Sequence, residues 1–292
     1  MENVYSDYVD AIFAVQKMGE RLPLGGFDPL TAPPAISSDK KVMGFAPHPD
    51  DMEIGGVLPV RLRRLGMPVL SVAVTLGSNK ARRPGRLAEL KGASKFLGYE
   101  LVEVQEGGFE RINPAGRSGD PENWKRSVQR IAALISEHRP AVIVVPHSED
   151  FNSTHIGTNL LVMEALASIG PSFTCQVALT EFWFPIRNPN VMLEVEAPLV
   201  ADLVGAVSYH VGEVERNPYH LTLVPYMIDN VRRAELVLGI GAAAPPWKMA
   251  ILMRVEHWNG TQLEPSFEGG RLIAAGDTKS LKELLSLSVS EP

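Results

Sequence analysis

Predominantly apolar runs of strand length alternate with longer amphipathic stretches along the first two-thirds of the chain. Such runs are typical of strands buried on both faces of a sheet. Five of them are predicted strands: KVMGFAP (41–47), PVLSVAVTL (68–76), ELVEVQ (100–105), AVIVVP (141–146) and QVALTEFWF (176–184). Helical spacing of apolar residues predicts helices over 54–65, 84–97 and 121–137, and another from about Thr154, its predicted N-cap.

This alternation predicts an α/β fold: a Rossmann-like, mostly parallel sheet flanked by helices. If the strand order begins 3-2-1-4, the first and fourth strands flank the crevice in which such sheets bind ligands. The pattern after residue 185 is less regular. It predicts a C-terminal extension of helices and a late hairpin that packs on the same core.

The chain also has a distinct N-terminal part. Apolar residues at helical spacing predict an amphipathic helix there: Tyr5, Tyr8, Val9, Ile12 and Phe13. Residues 22–38 are rich in Pro, Gly and Ser and are typical of a connector. We therefore expect a helix and connector over 1–38 and a single α/β domain over 39–292, with its catalytic core at about 40–185 and the extension at 186–292.

Composition narrows the functional class. The net charge of −6 argues against nucleic-acid binding, and no apolar stretch is long enough to cross a membrane. The sequence MENVYSDYVD lacks a basic segment typical of a signal peptide. Cys175, the single cysteine, excludes an internal disulfide and is expected to be buried. These features predict a cytoplasmic protein without membrane insertion.

Chemistry-bearing residues follow the first and fourth strands. The first strand ends in FAPHPDDMEIGG (45–56), and the fourth is followed by PHSEDFNSTH (146–155). His48 and Asp51 are three residues apart, and His155 is the expected third ligand of a zinc ion. His147, which lies nearer the strand end, is a competing third ligand.

Asp50 is not needed as a ligand and is the natural general base for a metal-activated water. The expected reaction is metal-assisted hydrolysis of an amide or an ester. The alternative for His48-Pro-Asp-Asp is an ordinary turn, since Pro and Asp are turn residues. The alternative for His155 is a surface histidine.

The two motifs resemble the signatures of the PIG-L/LmbE-like zinc-dependent N-acetylglucosaminyl deacetylases. APHPDDMEIGG is similar to AHPDDE-x-x-GG, and residues 146–155 are similar to P-x-x-x-D-x-H-x-x-H, with Asn152 in place of the first histidine. RLAELKGASKFLG (86–98) is similar to a helix of the family. The resemblance covers about residues 40–185.

The resemblance implies zinc held by His48, Asp51 and His155, with Asp50 as base and Arg86 in contact with sugar hydroxyls. It also implies an N-acetylated amino sugar or its conjugate as substrate, and a homo-oligomer, a trimer or hexamer. Loss of an oxyanion donor typically costs about 10²–10³ in rate. Asn152 or, as a substitute, His147 is expected to donate to the oxyanion, and Asp150 to contact substrate.

Two other functions remain possible from the residues alone. A nucleotide-binding Rossmann-like module would lack hydrolytic chemistry, but the first strand is followed by two carboxylates rather than a glycine-rich phosphate loop. A catalytically impaired zinc-binding protein is compatible with Asn152.

Three weaker signals lie outside the motifs. The basic run NKARRPGR (79–86) is either an anion-attracting edge or a solvated loop. We expect Trp183 and Phe184 in the core and His210 at the surface.

Overall fold

The computed structural model of the protein describes residues 3–29 and 35–287. Its first five strands form a parallel sheet in the order β3-β2-β1-β4-β5. Their bounds are Val42–Ala46 (β1), Val69–Ala73 (β2), Glu100–Glu103 (β3), Val142–Pro146 (β4) and Cys175–Thr180 (β5). In register, Val42 of β1 lies between Val69 of β2 and Val142 of β4. The predicted fold class and the order 3-2-1-4 are confirmed.

The region after residue 185 continues this sheet. Its strands are Val191–Glu194 (β6), Ala250–Trp258 (β7), Leu263–Pro265 (β8) and Arg271–Ile273 (β9). β7 pairs antiparallel with both β5 and β6, β9 pairs parallel with β6, and β8 forms the expected late hairpin with β7. The C-terminal extension is therefore built into the same sheet.

Twelve α-helices lie within the described residues. Their bounds are Ser6–Gly19 (α1), Asp51–Ile54 (α2), Val57–Arg64 (α3), Arg83–Leu97 (α4), Pro114–Gly119 (α5), Pro121–His138 (α6), Ser153–Ile169 (α7), Ala197–Val207 (α8), Val211–Val214 (α9), Tyr219–Asn230 (α10), Glu235–Leu238 (α11) and Thr278–Leu284 (α12). The predicted helix over 54–65 is split at Gly55 and Gly56, so that Pro59 lies in the first turn of α3, where no helical hydrogen bond is lost.

The core lies on both faces of the sheet. Val42 and Ala46 of β1 pack on one face among residues of α3 and α8. Met43 and Phe45 pack on the opposite face among residues of α6 and α7. Because successive strand residues point to opposite faces, a strand covered on both sides must be apolar at every position. This is why the strands were recognisable as apolar runs.

The N-terminal helix α1 forms as its spacing predicts, but its apolar side chains stay largely exposed, with Tyr8 at 65% and Phe13 at 57%. The connector contacts the extension where Gly25 N donates to Ser208 Oγ and Tyr209 OH donates to Phe27 O. Residues 30–34 of the connector lie outside the described residues. The division at residue 38 stays a prediction. None of the described helices has the length and apolar character needed to cross a membrane.

Candidate metal centre and active site

The site forms because β1 and β4 are neighbours in the sheet. The segment after β1 leads into α2 at Asp51, and the loop after β4 leads into α7 at Ser153. Asn152 is the N-cap of α7, where its Oδ1 accepts a hydrogen bond of 2.9 Å from Thr154 N. The prediction of Thr154 as the cap was wrong by two residues. His155, in the first helical turn, is fully buried beside the β1 loop.

His48, Asp51 and His155 converge with one ligand atom each. Asp51 Oδ2 lies 3.2 Å from His48 Nδ1 and 3.3 Å from His155 Nε2, and the two nitrogens are 3.3 Å apart. A tetrahedral ion with ligands at 2.0–2.1 Å holds neighbouring ligand atoms about 3.3–3.4 Å apart. The three atoms are therefore spaced like the corners of one face of a zinc-sized tetrahedron. Within the described part of the chain, His48, Asp51 and His155 form the group of side chains that could hold a metal ion.

Charges and hydrogen bonds hold this triad. His48 N donates to Asp51 Oδ2 over 2.7 Å. Burial acts to raise the pKa of Asp51, but His155 and His48 outweigh it and hold that pKa far below its usual range. Burial acts to lower the pKa of His155, but Asp51 and Asp150 raise it to about 10. The space between the three side chains thus favours positive charge, which a divalent ion supplies.

Asp150 stands behind His155. Its Oδ2 lies 3.7 Å from His155 Nδ1, and both side chains are completely buried. The same carboxylate accepts Asn152 N and Trp183 N, at 2.7 and 3.2 Å. A carboxylate at the second nitrogen of a ligand histidine fixes its tautomer and orientation. Asp150 does not line the pocket in front of the triad, which favours this positioning role over the expected substrate contact.

His147 is also placed differently from its prediction. Its Nε2 donates to Phe184 O over 2.7 Å, and its Nδ1 accepts from Glu149 N over 3.3 Å. Both ring nitrogens are therefore committed to the backbone, and the side chain is buried outside the pocket. These contacts argue against His147 as a competing metal ligand and as a substitute oxyanion donor, and they favour His155 as the third ligand.

Two members of the triad, His48 and Asp51, line a pocket of about 430 Å³, whereas His155 is fully buried. Asp50, Arg86 and Asn152, three of the predicted site residues, line it. Arg86 Nη2 donates to Asp50 Oδ1 over 3.3 Å. Burial and the charge of Asp51 raise the pKa of Asp50 against the opposing effects of His210, Arg86 and His48. Asp50 is thus a carboxylate beside the metal ligands and outside the ligand set, as a general base requires.

The C-terminal extension forms the far wall of the pocket. It contributes Glu213, Arg216, Tyr219, Thr222, Leu223 and Tyr226. Trp183, expected in the core, is 53% exposed on this wall, where its ring meets Tyr219 edge to face at 5.9 Å. Phe184, also expected in the core, is 40% exposed. Aromatic faces in such a pocket suit the apolar face of a sugar ring.

The expected surface position of His210 was wrong. His210 is 1% exposed, and its Nε2 lies 3.4 Å from Oε2 of the fully buried Glu53. This pair is within the wall behind Asp50. Glu53 lies in the first motif, but the residues around His210 carry no periodic pattern that would have placed it there. Cys175 is buried as expected, and burial raises the pKa of its thiol to about 12.

The comparisons with known proteins agree with this geometry. Residues 43–166 match the model of the PIG-L family, described as GlcNAc-PI de-N-acetylase. Residues 43–166 are a PIG-L family domain. The match spans both ligand-bearing motifs and confirms the family predicted from them and, with it, the enzyme class of a deacetylase. None of the curated proteins matches the chain.

Solved structures show how widely the fold of this PIG-L domain is used. N,N′-diacetylchitobiose deacetylase from Pyrococcus horikoshii is 16% identical, with a TM-score of 0.53 over 87% of this chain and 93% of its own. Teicoplanin deacetylase Orf2, in a zinc inhibited form, is 14% identical, with a TM-score of 0.54 over 76% and 100%.

A third similar structure has a different activity. GalB, the 4-carboxy-2-hydroxymuconate hydratase from Pseudomonas putida KT2440, is 16% identical, with a TM-score of 0.56 over 74% of this chain and 95% of its own. At these identities the likenesses establish the α/β fold alone. The reaction and the substrate must be argued from the site.

Proposed function

We propose that this protein is a zinc-dependent hydrolase that removes an N-acetyl or related N-acyl group from an amino sugar or amino-sugar conjugate. One observation carries the proposal: two imidazole nitrogens and one carboxylate oxygen lie 3.2–3.3 Å apart, and two of their residues, His48 and Asp51, line a pocket together with Asp50. The family match to a de-N-acetylase supports the same reaction.

The donor set favours zinc. Two imidazoles and one carboxylate form a common catalytic zinc site, whereas magnesium prefers oxygen ligands and water. When bound, zinc polarises a carbonyl and lowers the pKa of a water to about 7. Every other step can be assigned to the side chains of this chain.

Asp50 takes a proton from the attacking water as the new C–O bond forms at the amide carbon. It gives that proton to the amine nitrogen as the C–N bond breaks, so that acetate and a free amine are released. Arg86 orients Asp50 through their hydrogen bond and contacts the sugar. Since Oδ1 of Asn152 already accepts Thr154 N, its amide N–H groups remain to donate to the oxyanion.

We also propose a cytoplasmic location, on the basis of the single buried cysteine, and the trimer or hexamer implied by the family resemblance. The pocket provides no nucleotide site of the glycine-rich type. The buried carboxylates Asp50 and Asp51 stand at the strand end where a phosphate would have to lie.

Acetate release from a panel of N-acetylated sugars and glycosides tests the proposal. The protein should be assayed with one equivalent of zinc and with excess zinc. We expect acetate release that a chelator abolishes. Asp50→Asn should still bind the metal, but its rate of acetate release should be lower by a factor of about 10²–10⁴. Zinc-loaded protein that releases no acyl group from any of these compounds would refute the function, and an active Asp50→Asn would remove Asp50 from its role.

A further inference from the structure

Three arginines surround one buried carboxylate in the wall of the pocket. Glu213, on α9, is 3% exposed. Its Oε1 accepts a hydrogen bond of 2.8 Å from Arg82 Nη2 and lies 3.6 Å from Arg86 Nε, and its Oε2 accepts from Arg216. We call Arg82, Arg86 and Arg216 the arginine cluster. All three line the same pocket as His48 and Asp51 of the metal triad.

The carboxylates of the pocket do not neutralise this cluster. Glu213 and Asp50 pair with these arginines, and Asp51, which also lines the pocket, is engaged by His48 and His155, so that one positive charge of the cluster has no paired carboxylate. Glu89 lies behind the cluster, where its Oε1 accepts Gly212 N, and does not line the pocket. Glu181, which does, is engaged by Arg233.

The excess charge has free hydrogen-bond donors. Arg82 uses Nη2 for both Gly212 O and Glu213, and Arg216 uses Nη2 for Glu213. Within the described residues, their other guanidinium nitrogens have no hydrogen-bond partner. The side chain of Arg216 is 62% exposed and that of Arg82 is 37% exposed. Planar guanidinium groups held in this way suit the oxygens of a phosphate or a carboxylate.

We propose that Arg82 and Arg216 bind an anionic group, a phosphate or a carboxylate, on the substrate, so that the preferred substrate is an acidic N-acyl amino sugar. This inference rests on the proposed function. Arg82 belongs to the basic run after β2, and Arg216 to the C-terminal extension. The subsite therefore exists only because the extension packs over the ends of the parallel strands. Glu213 acts as its positioning residue by fixing both guanidinium groups.

The test compares acidic with neutral substrates on the zinc-loaded protein. N-acetylglucosamine is the neutral compound, its 1- and 6-phosphates carry phosphate, and N-acetylmuramic acid carries a carboxylate. We expect a KM at least about tenfold lower for one of the acidic compounds, as one added charge-assisted hydrogen bond provides. The phosphate and carboxylate arms identify the anion.

Arg216→Gln should raise the KM of that acidic compound about tenfold, leave its kcat within about twofold, and raise the KM of the neutral substrate by a much smaller factor. Arg216→Lys keeps the charge and should recover part of the loss. Arg232→Gln is the matched control, since Arg232 is 73% exposed, pairs with Asp229 and lies outside the pocket. Equal KM values for acidic and neutral compounds, or equal effects of Arg216→Gln on both, would overturn the proposal.

Calorimetry separates this proposal from the function on which it rests. Binding of N-acetylglucosamine 6-phosphate and of N-acetylmuramic acid should be weaker in Arg216→Gln than in the wild type even if no compound is hydrolysed. If no compound is hydrolysed but the wild type binds the acidic compounds more tightly than Arg216→Gln does, the hydrolase function is refuted and the anion site is supported. Turnover present with no effect of Arg216→Gln on acidic compounds would refute the anion site alone.

Discussion

Asp150→Asn gives a sharp test of how the metal centre is built. The change keeps the size of the side chain and removes its charge. In the structure the carboxylate lies 3.7 Å from His155 Nδ1 and also accepts Asn152 N and Trp183 N. An asparagine has a single acceptor oxygen, so at least one of the two backbone N–H groups must lose its partner.

The expected magnitude follows from this arrangement. Asp150 helps to raise the pKa of His155, so its loss makes the imidazole less basic and less firmly oriented. Removing the outer partner of a ligand histidine typically costs 10–100-fold in metal affinity, or about 1.4–2.7 kcal/mol. We expect zinc affinity to fall by about this factor. Since Asp150 does not line the pocket, KM at saturating zinc should change by less than about twofold.

Competition with a chromophoric zinc chelator measures the affinity, and acetate release at saturating zinc measures KM. Glu149→Gln is a control in the same loop, because Glu149 is exposed and pairs with Arg187. Unchanged zinc affinity together with a raised KM would refute the reasoning and restore the substrate contact predicted from the sequence.

Three further predictions concern the ligands, the pocket wall and the thiol. His155→Ala should abolish stoichiometric zinc binding, whereas His147→Ala should retain it, and metal analysis of the two purified proteins decides between them. The arginines outweigh burial and lower the pKa of Glu213 from 4.5. Its contribution to stability is thus present above about pH 4.5 and lost as the pH falls through the lowered pKa. Glu213→Gln should therefore lower the free energy of unfolding by about 1 kcal/mol at neutral pH and progressively less in acid, as measured by urea unfolding, and a pH-independent difference would contradict this reasoning. Cys175, with a pKa of about 12 and 5% exposure, should react with a thiol reagent only in denaturant, and rapid labelling of the native protein would show that the strand is not packed as described.

The residues of the metal centre could be predicted from the sequence because each motif follows a strand that is itself recognisable. A buried β1 and a buried β4 must both be apolar, and parallel neighbours bring their carboxyl ends together. The same reasoning places Asp50 beside the ligands, whereas Arg86 and Asn152 were expected at the site from the family resemblance. The roles of Asp150 and His147 could not be predicted, since both side chains are held by hydrogen bonds with backbone atoms that no pattern of side chains identifies, and Asp150 also depends on the orientation of His155.

What the sequence determined by itself is the alternation of strands and helices, the two ligand-bearing loops and the family. These depend on apolar runs, turn residues and short motifs, each of which is formed by residues close together in the sequence. The tertiary structure alone decided how residues 186–292 complete the pocket, why His210 is buried and why Trp183 is exposed. Burial of a side chain depends on which distant segment packs against it, and here an antiparallel β7 carries the extension back to the edge of β5 and over the ends of the parallel strands.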